Sequence, residues 1–123
     1  MVKNGCENTR DINENTPDWR VNEIKKYISL NYFDKISVSS IAKEFNITPQ
    51  YLGNVFKRKT GYTIVGYITN ERIKNAKRLL AEKDLKVFDV AEMVGYSNPS
   101  YFTKIFRRFE GKTPEQYRRD IFK

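Results

Sequence analysis

One short segment of the sequence carries side chains that suit contacts with nucleic-acid bases. Gln50 and Asn54 are four positions apart, so a helix would place both amides on one face, with Gly53 beside them. Amide side chains pair with N6 and N7 of adenine through two hydrogen bonds, and a glycine lets the backbone approach a duplex closely. The segment therefore predicts a base-reading helix that relies on Gln50 and Asn54.

A second segment carries different polar side chains at similar spacing. Ser100, Thr103 and Lys104 follow Pro99, and in a helix they face away from the apolar residues between them. A lysine suits O6 and N7 of guanine, whereas serine and threonine suit either bases or phosphates. Each of these side chains alone is better explained as an ordinary solvated residue. Two such faces in one chain favour base reading.

Basic residues recur near the end of both segments. Lys57 and Arg58 match Arg107 and Arg108, and positive charge at this end of a reading helix can bind phosphates and fix the register on DNA. Thr60 is a further phosphate candidate. The same cations also favour the negative end of a helix dipole, and the two roles are compatible.

The charge and composition of the chain narrow the class of function. Lysine and arginine number 23 against 15 acidic residues, for a net charge of +8, which favours a polyanionic partner such as nucleic acid or an acidic membrane surface. The first 20 residues hold three basic and four acidic residues, so the positive excess lies beyond them. With no histidine and a single cysteine, Cys6, the sequence predicts no enzyme, no metal site and no cofactor. No apolar run is long enough for a membrane span, and a reducing, cytoplasmic setting is expected.

An internal repeat indicates which elements must position these side chains. The string SVSSIAKEFNITPQYLGNVFKRKTG matches KVFDVAEMVGYSNPSYFTKIFRRFEG at an offset of 49 positions before the turn and 50 after it, because one residue is added in the turn of the second copy. The match extends to Tyr67 and Tyr117. A repeat of this length corresponds to one supersecondary unit. Each copy is interpreted as two short helices around a tight turn, which is a helix-turn-helix.

The turns of both copies have suitable backbone preferences. Asn46 and Gly95 tolerate the left-handed conformation that ends a helix, so the first helix of each copy should stop there. Thr48 and Ser97 are the expected N-caps of the second helices, each ahead of a proline in the first helical turn. The first helix-turn-helix is predicted over about 37–60 and the second over about 86–110.

The remaining segments complete an all-α prediction of about seven helices. Residues 1–17 indicate a polar linker or disordered tail, and the DNA-binding domain should occupy 18–123, beginning with a helix that ends near residue 31. A helix over about 64–82, roughly 28 Å long, links the two units and would set the reading helices one DNA turn apart, on the order of 34 Å. A capping box precedes a final helix over about 114–121. Six aromatic residues are assigned to the cores: Tyr51, Phe56, Tyr67, Tyr101, Phe106 and Tyr117.

Three strings carry a family resemblance: YLGNVFKRKTG, RIKNAKRLL and VGYSNPSYFTKIFRRFEGKTPEQYR. Over about Trp19 to Arg119 they resemble the DNA-binding domain of the AraC/XylS family of bacterial transcription regulators. The resemblance implies double-stranded DNA as the partner and base-reading positions at Gln50, Gly53, Asn54, Pro99, Ser100, Thr103 and Lys104. Members commonly have a longer side chain at Gly53 and a polar one at Pro99, so the first unit should rely on its two amides.

The resemblance also bears on the rest of the protein. Full-length members usually carry an N-terminal effector-binding or receiver domain, so we expect such a sensor domain, and RNA polymerase as a partner of the full protein. Stand-alone members with two motifs also exist. The leading hypothesis is a sequence-specific transcription regulator that reads two successive major grooves. The alternative is a helical protein-interaction module that kept the fold and lost DNA binding.

Overall fold

The computed structural model describes residues 18–123, and the predicted tail over 1–17 lies outside the described residues. The described part contains seven helices and no strand, which confirms the predicted all-α class. In chain order the helices are α1 (Asp18–Asn31), α2 (Val38–Glu44), α3 (Pro49–Thr60), α4 (Ile64–Leu80), α5 (Val87–Met93), α6 (Pro99–Glu110) and α7 (Pro114–Ile121). Within this range, no helix combines the length and the apolar character that crossing a bilayer requires.

The chain divides into two compact units, and α4 contributes to both. Among the described residues, the first unit holds 18–31 and Ile36–Ile68, and the second holds Tyr32–Lys35 and Thr69–Lys123. Each unit has a leading helix, a helix-turn-helix and a closing helix. The first unit uses α1, α2, α3 and the start of α4. The second uses the rest of α4, then α5, α6 and α7.

The leading helices repeat in the same way as the helix-turn-helix segments. Three buried positions of α1 match three buried positions of α4 at a constant offset, and the pairs are Val21 with Ile73, Ile24 with Ala76, and Ile28 with Leu80. These pairs lie in the cores of their respective units. The repeated element is therefore larger than a helix-turn-helix and includes the helices before and after it.

The second helix of each helix-turn-helix, here called the reading helix, supplies the centre of its core. Phe56 of α3 is fully buried, and its ring meets the edge of Tyr67 at 5.4 Å between centroids. Phe106 of α6 is also fully buried and meets Tyr117 at 5.6 Å. Complete burial of a phenylalanine stabilises a fold by about 1.5 to 3 kcal/mol, so the placement of each reading helix is coupled to the stability of its unit.

Both turns contain the expected left-handed residue. Asn46 has φ 57° and Gly95 has φ 106°, and each follows the C-cap residue of the preceding short helix. The next amide then bonds back into that helix, from Ile47 N to the Ala42 carbonyl at 3.0 Å in the first unit. The prediction that these two residues end the first helix of each copy is confirmed.

One of the two predicted N-caps is wrong. The Thr48 hydroxyl accepts from the Tyr51 amide at 3.1 Å, as expected, but in the second unit Asn98 rather than Ser97 is the cap. The Asn98 side-chain oxygen accepts from the Tyr101 amide at 3.1 Å. The residue added in the second turn lies before the cap, so the cap moves one position toward the reading helix.

The helix α4, predicted to reach about residue 82, ends at Leu80. Beyond it the Glu82 amide bonds to the Leu79 carbonyl at 2.9 Å, which is a turn rather than a further helical step. Arg118 of α7 donates from Nε to the Leu80 carbonyl at 3.0 Å and from Nη2 to the Glu82 carbonyl at 3.1 Å. The Leu80 carbonyl at the helix end lacks a partner within the helix, and a distant arginine supplies one.

Asn98→Ala should lower the free energy of unfolding by about 1 kcal/mol, because the first turn of α6 loses its side-chain acceptor. The matched control Ser97→Ala should change it by less than about 0.5 kcal/mol. Urea unfolding followed by circular dichroism measures both variants. Equal losses for the two would contradict the assignment of Asn98 as the cap.

Candidate DNA-binding surface

The outward side of α3 is polar and accessible. Leu52, Val55 and Phe56 are buried in the first core, which turns the opposite side of the helix to solvent. The predicted base-reading residues Gln50 and Asn54 are both exposed on this side. No residue of α3 is acidic, so the helix carries no charge that would repel a phosphate backbone.

The outward side of α6 is also polar and accessible, but it carries different side chains from that of α3. Its buried side is formed by Phe102, Ile105 and Phe106. Among the predicted base-reading residues, Ser100 and Lys104 are exposed, whereas Thr103 and Pro99 are half-buried. The one acidic residue of α6, Glu110, forms an ion pair with Lys77 at 3.2 Å. The two reading helices thus share a buried pattern and differ in what they present.

The predicted phosphate-binding cations lie at the C-terminal ends of the reading helices. Lys57 and Arg58 of α3 and Arg107 and Arg108 of α6 are exposed. None of the ion pairs found among residues 18–123 uses these four side chains. They also lie in the last turn of each helix, where the dipole favours them, so their position alone is compatible with either role.

Thr60 differs from these cations because its hydroxyl already has partners. It donates to the Phe56 carbonyl at 2.7 Å, and the Tyr62 amide donates to the same hydroxyl oxygen at 3.0 Å. A hydroxyl has one hydrogen to donate, and a phosphate oxygen needs a donor. In this structure Thr60 closes the end of α3, and a phosphate contact would require exchange of its bond to the helix.

Gly53 lies on α3 between the two predicted amides and has open surroundings. A Cβ built on this residue would have no other atom within 4 Å. The glycine is therefore not required by packing within the described part of the chain. What it leaves accessible is the backbone of the helix on its outward side.

The structure adds Tyr101, a predicted core residue, as a candidate contact to DNA. Its side chain is 52% exposed, one turn before Lys104 on the flank of α6, so the core assignment is wrong for this residue. The matching Tyr51 in α3 is half-buried. The signal was present in the helix geometry, since at 100° per residue Tyr101 falls between the buried stripe and the outward stripe. A phenol at that place can donate to a phosphate or a base edge.

Two helix-turn-helix units, each with an accessible polar face and a basic end on its second helix, define a double helix-turn-helix DNA-binding protein. The family described as "Helix-turn-helix domain" matches residues 41–120. The Msm operon regulatory protein of Streptococcus mutans is 34% identical over 101 residues, which cover 82% of this chain and 36% of that protein. The bifunctional transcriptional activator/DNA repair enzyme AdaA of Bacillus subtilis is 33% identical over 115 residues, which cover 92% of this chain and 54% of that protein.

Solved structures of DNA-binding and response-regulator domains have the same fold as this chain. The C-terminal domain of AraT, a response regulator from Geobacillus stearothermophilus, matches with a TM-score of 0.79 at 31% identity over 81% of this chain and 84% of that one. The DNA-binding domain of AdpA, solved with a target DNA, shares the fold with a TM-score of 0.77 at 24% identity over 81% and 90% of the two chains.

This chain belongs to the AraC family of transcription regulators and contains the DNA-binding helix-turn-helix domain of that family. The resemblance seen in the sequence is thereby confirmed. The chain spans 36% of the length of the Streptococcus relative and 54% of the length of the Bacillus relative.

Gly53→Ala should raise the free energy of unfolding by about 0.5 to 1 kcal/mol, because alanine is the better helix former and its methyl meets open space. Affinity for DNA selected from random sequences should fall, because the methyl holds the α3 backbone away from the duplex. Urea unfolding and fluorescence anisotropy with labelled DNA measure the two effects. A more stable variant with unchanged affinity would rule out a close backbone approach at this position.

Proposed function

We propose that this chain reads an asymmetric DNA site with two unlike helices, α3 in one major groove and α6 in the next, and so regulates transcription. The proposal rests mainly on one observation, the combination of matching buried residues with different outward residues. In α3 the base-reading residues are Gln50 and Asn54, and in α6 they are Ser100, Thr103 and Lys104. Amides suit adenine and a lysine suits guanine, so the two half-sites differ in sequence.

The positions without hydrogen-bonding side chains have a different role in this proposal. Gly53 and Pro99 carry neither donor nor acceptor on their side chains, so they contribute shape: Gly53 through close backbone approach and Pro99 through an apolar ring. Tyr101, exposed beside Lys104, is included as a contact to a phosphate or a base.

The cations at the helix ends are assigned to the phosphate backbone. Lys57 and Arg58 hold one strand segment and Arg107 and Arg108 another, and each neutralised phosphate releases a counterion that favours binding at any sequence. Thr60 joins them only by exchanging its bond to the helix carbonyl. These contacts set the register in which the base-reading residues meet their bases.

We further propose that the chain works with an N-terminal sensor or receiver domain, and that the full regulator acts on RNA polymerase in the bacterial cytoplasm. Two observations support this. The relatives that it matches are longer than the matched region, and the AraT domain that it resembles comes from a response regulator. A regulator of this kind works where the chromosome and the polymerase are.

Binding should weaken steeply with salt. With four phosphates neutralised by the cations of α3 and α6, log affinity should fall against log salt with a slope of roughly −4. Anisotropy titrations of selected and random DNA at several salt concentrations measure the slope and the preference between the two. Absence of binding even at low salt would contradict the proposal and favour the protein-interaction alternative.

Lys104→Ala and Arg107→Ala should have different effects. Loss of the base contact from Lys104 should cost about 1 to 3 kcal/mol on the selected site and relax preference at one base pair. Arg107→Ala should weaken binding to all sequences alike, because phosphates are the same everywhere. Competition binding against single-base variants measures both. Equal losses on selected and random DNA for Lys104→Ala would contradict base reading by this lysine.

A further inference from the structure

We propose that Arg72 positions the second reading helix by holding the turn ahead of it, and that Arg20 is its counterpart in the first unit. The inference rests on the proposed DNA reading, because a helix that reads bases must be held in one orientation. Neither arginine belongs to α3 or α6, so both act through other residues.

Arg72 lies on α4 and its guanidinium makes several contacts within the second unit. Its Nε donates to the Tyr32 carbonyl at 2.7 Å, and its Nη2 donates to the Asp34 carbonyl at 2.9 Å. The guanidinium carbon lies 5.1 Å from the centroid of the Tyr96 ring, within the range of a cation–π contact. Two parallel donors together with a flat face that stacks on a ring are properties of arginine that lysine lacks.

The guanidinium lies directly against the turn of the second helix-turn-helix. A Cβ built on Gly95, whose φ is +106°, would stand 3.0 Å from Arg72 Nε and 3.1 Å from the Tyr32 carbonyl oxygen. The space beside this glycine is therefore filled by the arginine and by the carbonyl that it binds. Because Gly95 sets the angle between α5 and α6, a shift of the arginine would alter that angle.

Tyr96 carries the contact from the arginine into the reading helix. The residue is 7% exposed, and its ring lies 5.6 Å from that of Phe102 and 5.9 Å from that of Tyr101, both in α6. Burial raises the pKa of the Tyr96 hydroxyl, and Arg72 offsets part of this rise. A neutral phenol ring thus lies between the cation and the first turn of α6.

Arg20 occupies the equivalent place in the first unit. It matches Arg72 at the offset that relates the buried positions of α1 to those of α4. Its Nη2 donates to the Phe45 carbonyl at 2.6 Å. Phe45 is the C-cap of α2, immediately before the left-handed Asn46. Among the described residues, Arg20 therefore contacts the first turn through one hydrogen bond, to a carbonyl at a helix end.

The different contacts of the two arginines give a matched pair of variants. Arg20→Lys keeps a donor for its single acceptor, whereas Arg72→Lys loses the paired donors and the stacking face. Both changes preserve the net charge, so the general attraction to DNA is unaltered. Arg20→Ala removes the hydrogen bond to the Phe45 carbonyl. It therefore tests the first turn as Arg72→Lys tests the second.

The first test needs no DNA and measures amide hydrogen exchange in the four proteins. In Arg72→Lys, exchange from Gly95 to Phe102 should quicken about tenfold through loss of hydrogen bonding, while buried amides of α3 and α7 keep wild-type rates. Arg20→Lys should change neither turn, and Arg20→Ala should quicken the first turn alone. Uniform quickening across the second unit, or no change in Arg72→Lys, would overturn the positioning role.

The second test uses DNA that the unaltered chain selects from random sequences. Arg72→Lys should reduce discrimination against base changes in the α6 half of the site by about tenfold and leave the α3 half and the affinity for random DNA unchanged. If Arg72→Lys keeps full discrimination in the α6 half, the inference fails while the proposed function stands. If the unaltered chain shows no sequence preference, the proposed function fails. The hydrogen-exchange result alone then tests whether Arg72 positions the second turn.

Discussion

Burial of one apolar stripe on each reading helix is the constraint on which the other features depend. Residues on a helix keep a fixed angle to one another, so burial of Leu52, Val55 and Phe56 determines which positions of α3 point outward. The same holds for the matching stripe of α6. The core therefore sets the direction of a reading helix, while the outward residues set its chemistry. This separation explains how two copies agree inside and differ outside.

In the described part of the chain, the helix α4 shows how one helix serves two units. Its first turns bury Ile64 and Ile68 in the first core, where they close the unit. Its later turns bury Ile73 and Leu80 in the second core, where they take the place that α1 has in the first. Each segment of the helix therefore buries its apolar side chains in the core of its own unit.

Most of the fold was predictable because its signals are local and occur twice. The left-handed residues, the prolines of the reading helices and the buried stripes all follow from short-range backbone and spacing rules.

The errors in the sequence prediction lie where the structure depends on the register of the repeat or on contacts between residues far apart in the sequence. Matching the copies did not reveal that the added residue precedes the cap, so the predicted cap, Ser97, lies one position before the actual cap, Asn98. The last carbonyl of α4, that of Leu80, accepts a hydrogen bond from Arg118, which lies 38 positions away in the sequence. In the candidate site, spacing predicted the outward residues but not that the Thr60 hydroxyl has a partner within its helix.

Gly53 gives the two reading helices unequal capacity for change. The space beyond its Cα is open, and the position lies between two outward amides. A longer side chain there needs no repacking, whereas a change in the buried stripe creates a cavity or a clash. In evolutionary terms, one codon change at this position replaces the close backbone approach with a side-chain contact to DNA, and the fold keeps its stability. A lineage can acquire a new operator preference at that position without passing through an unstable intermediate.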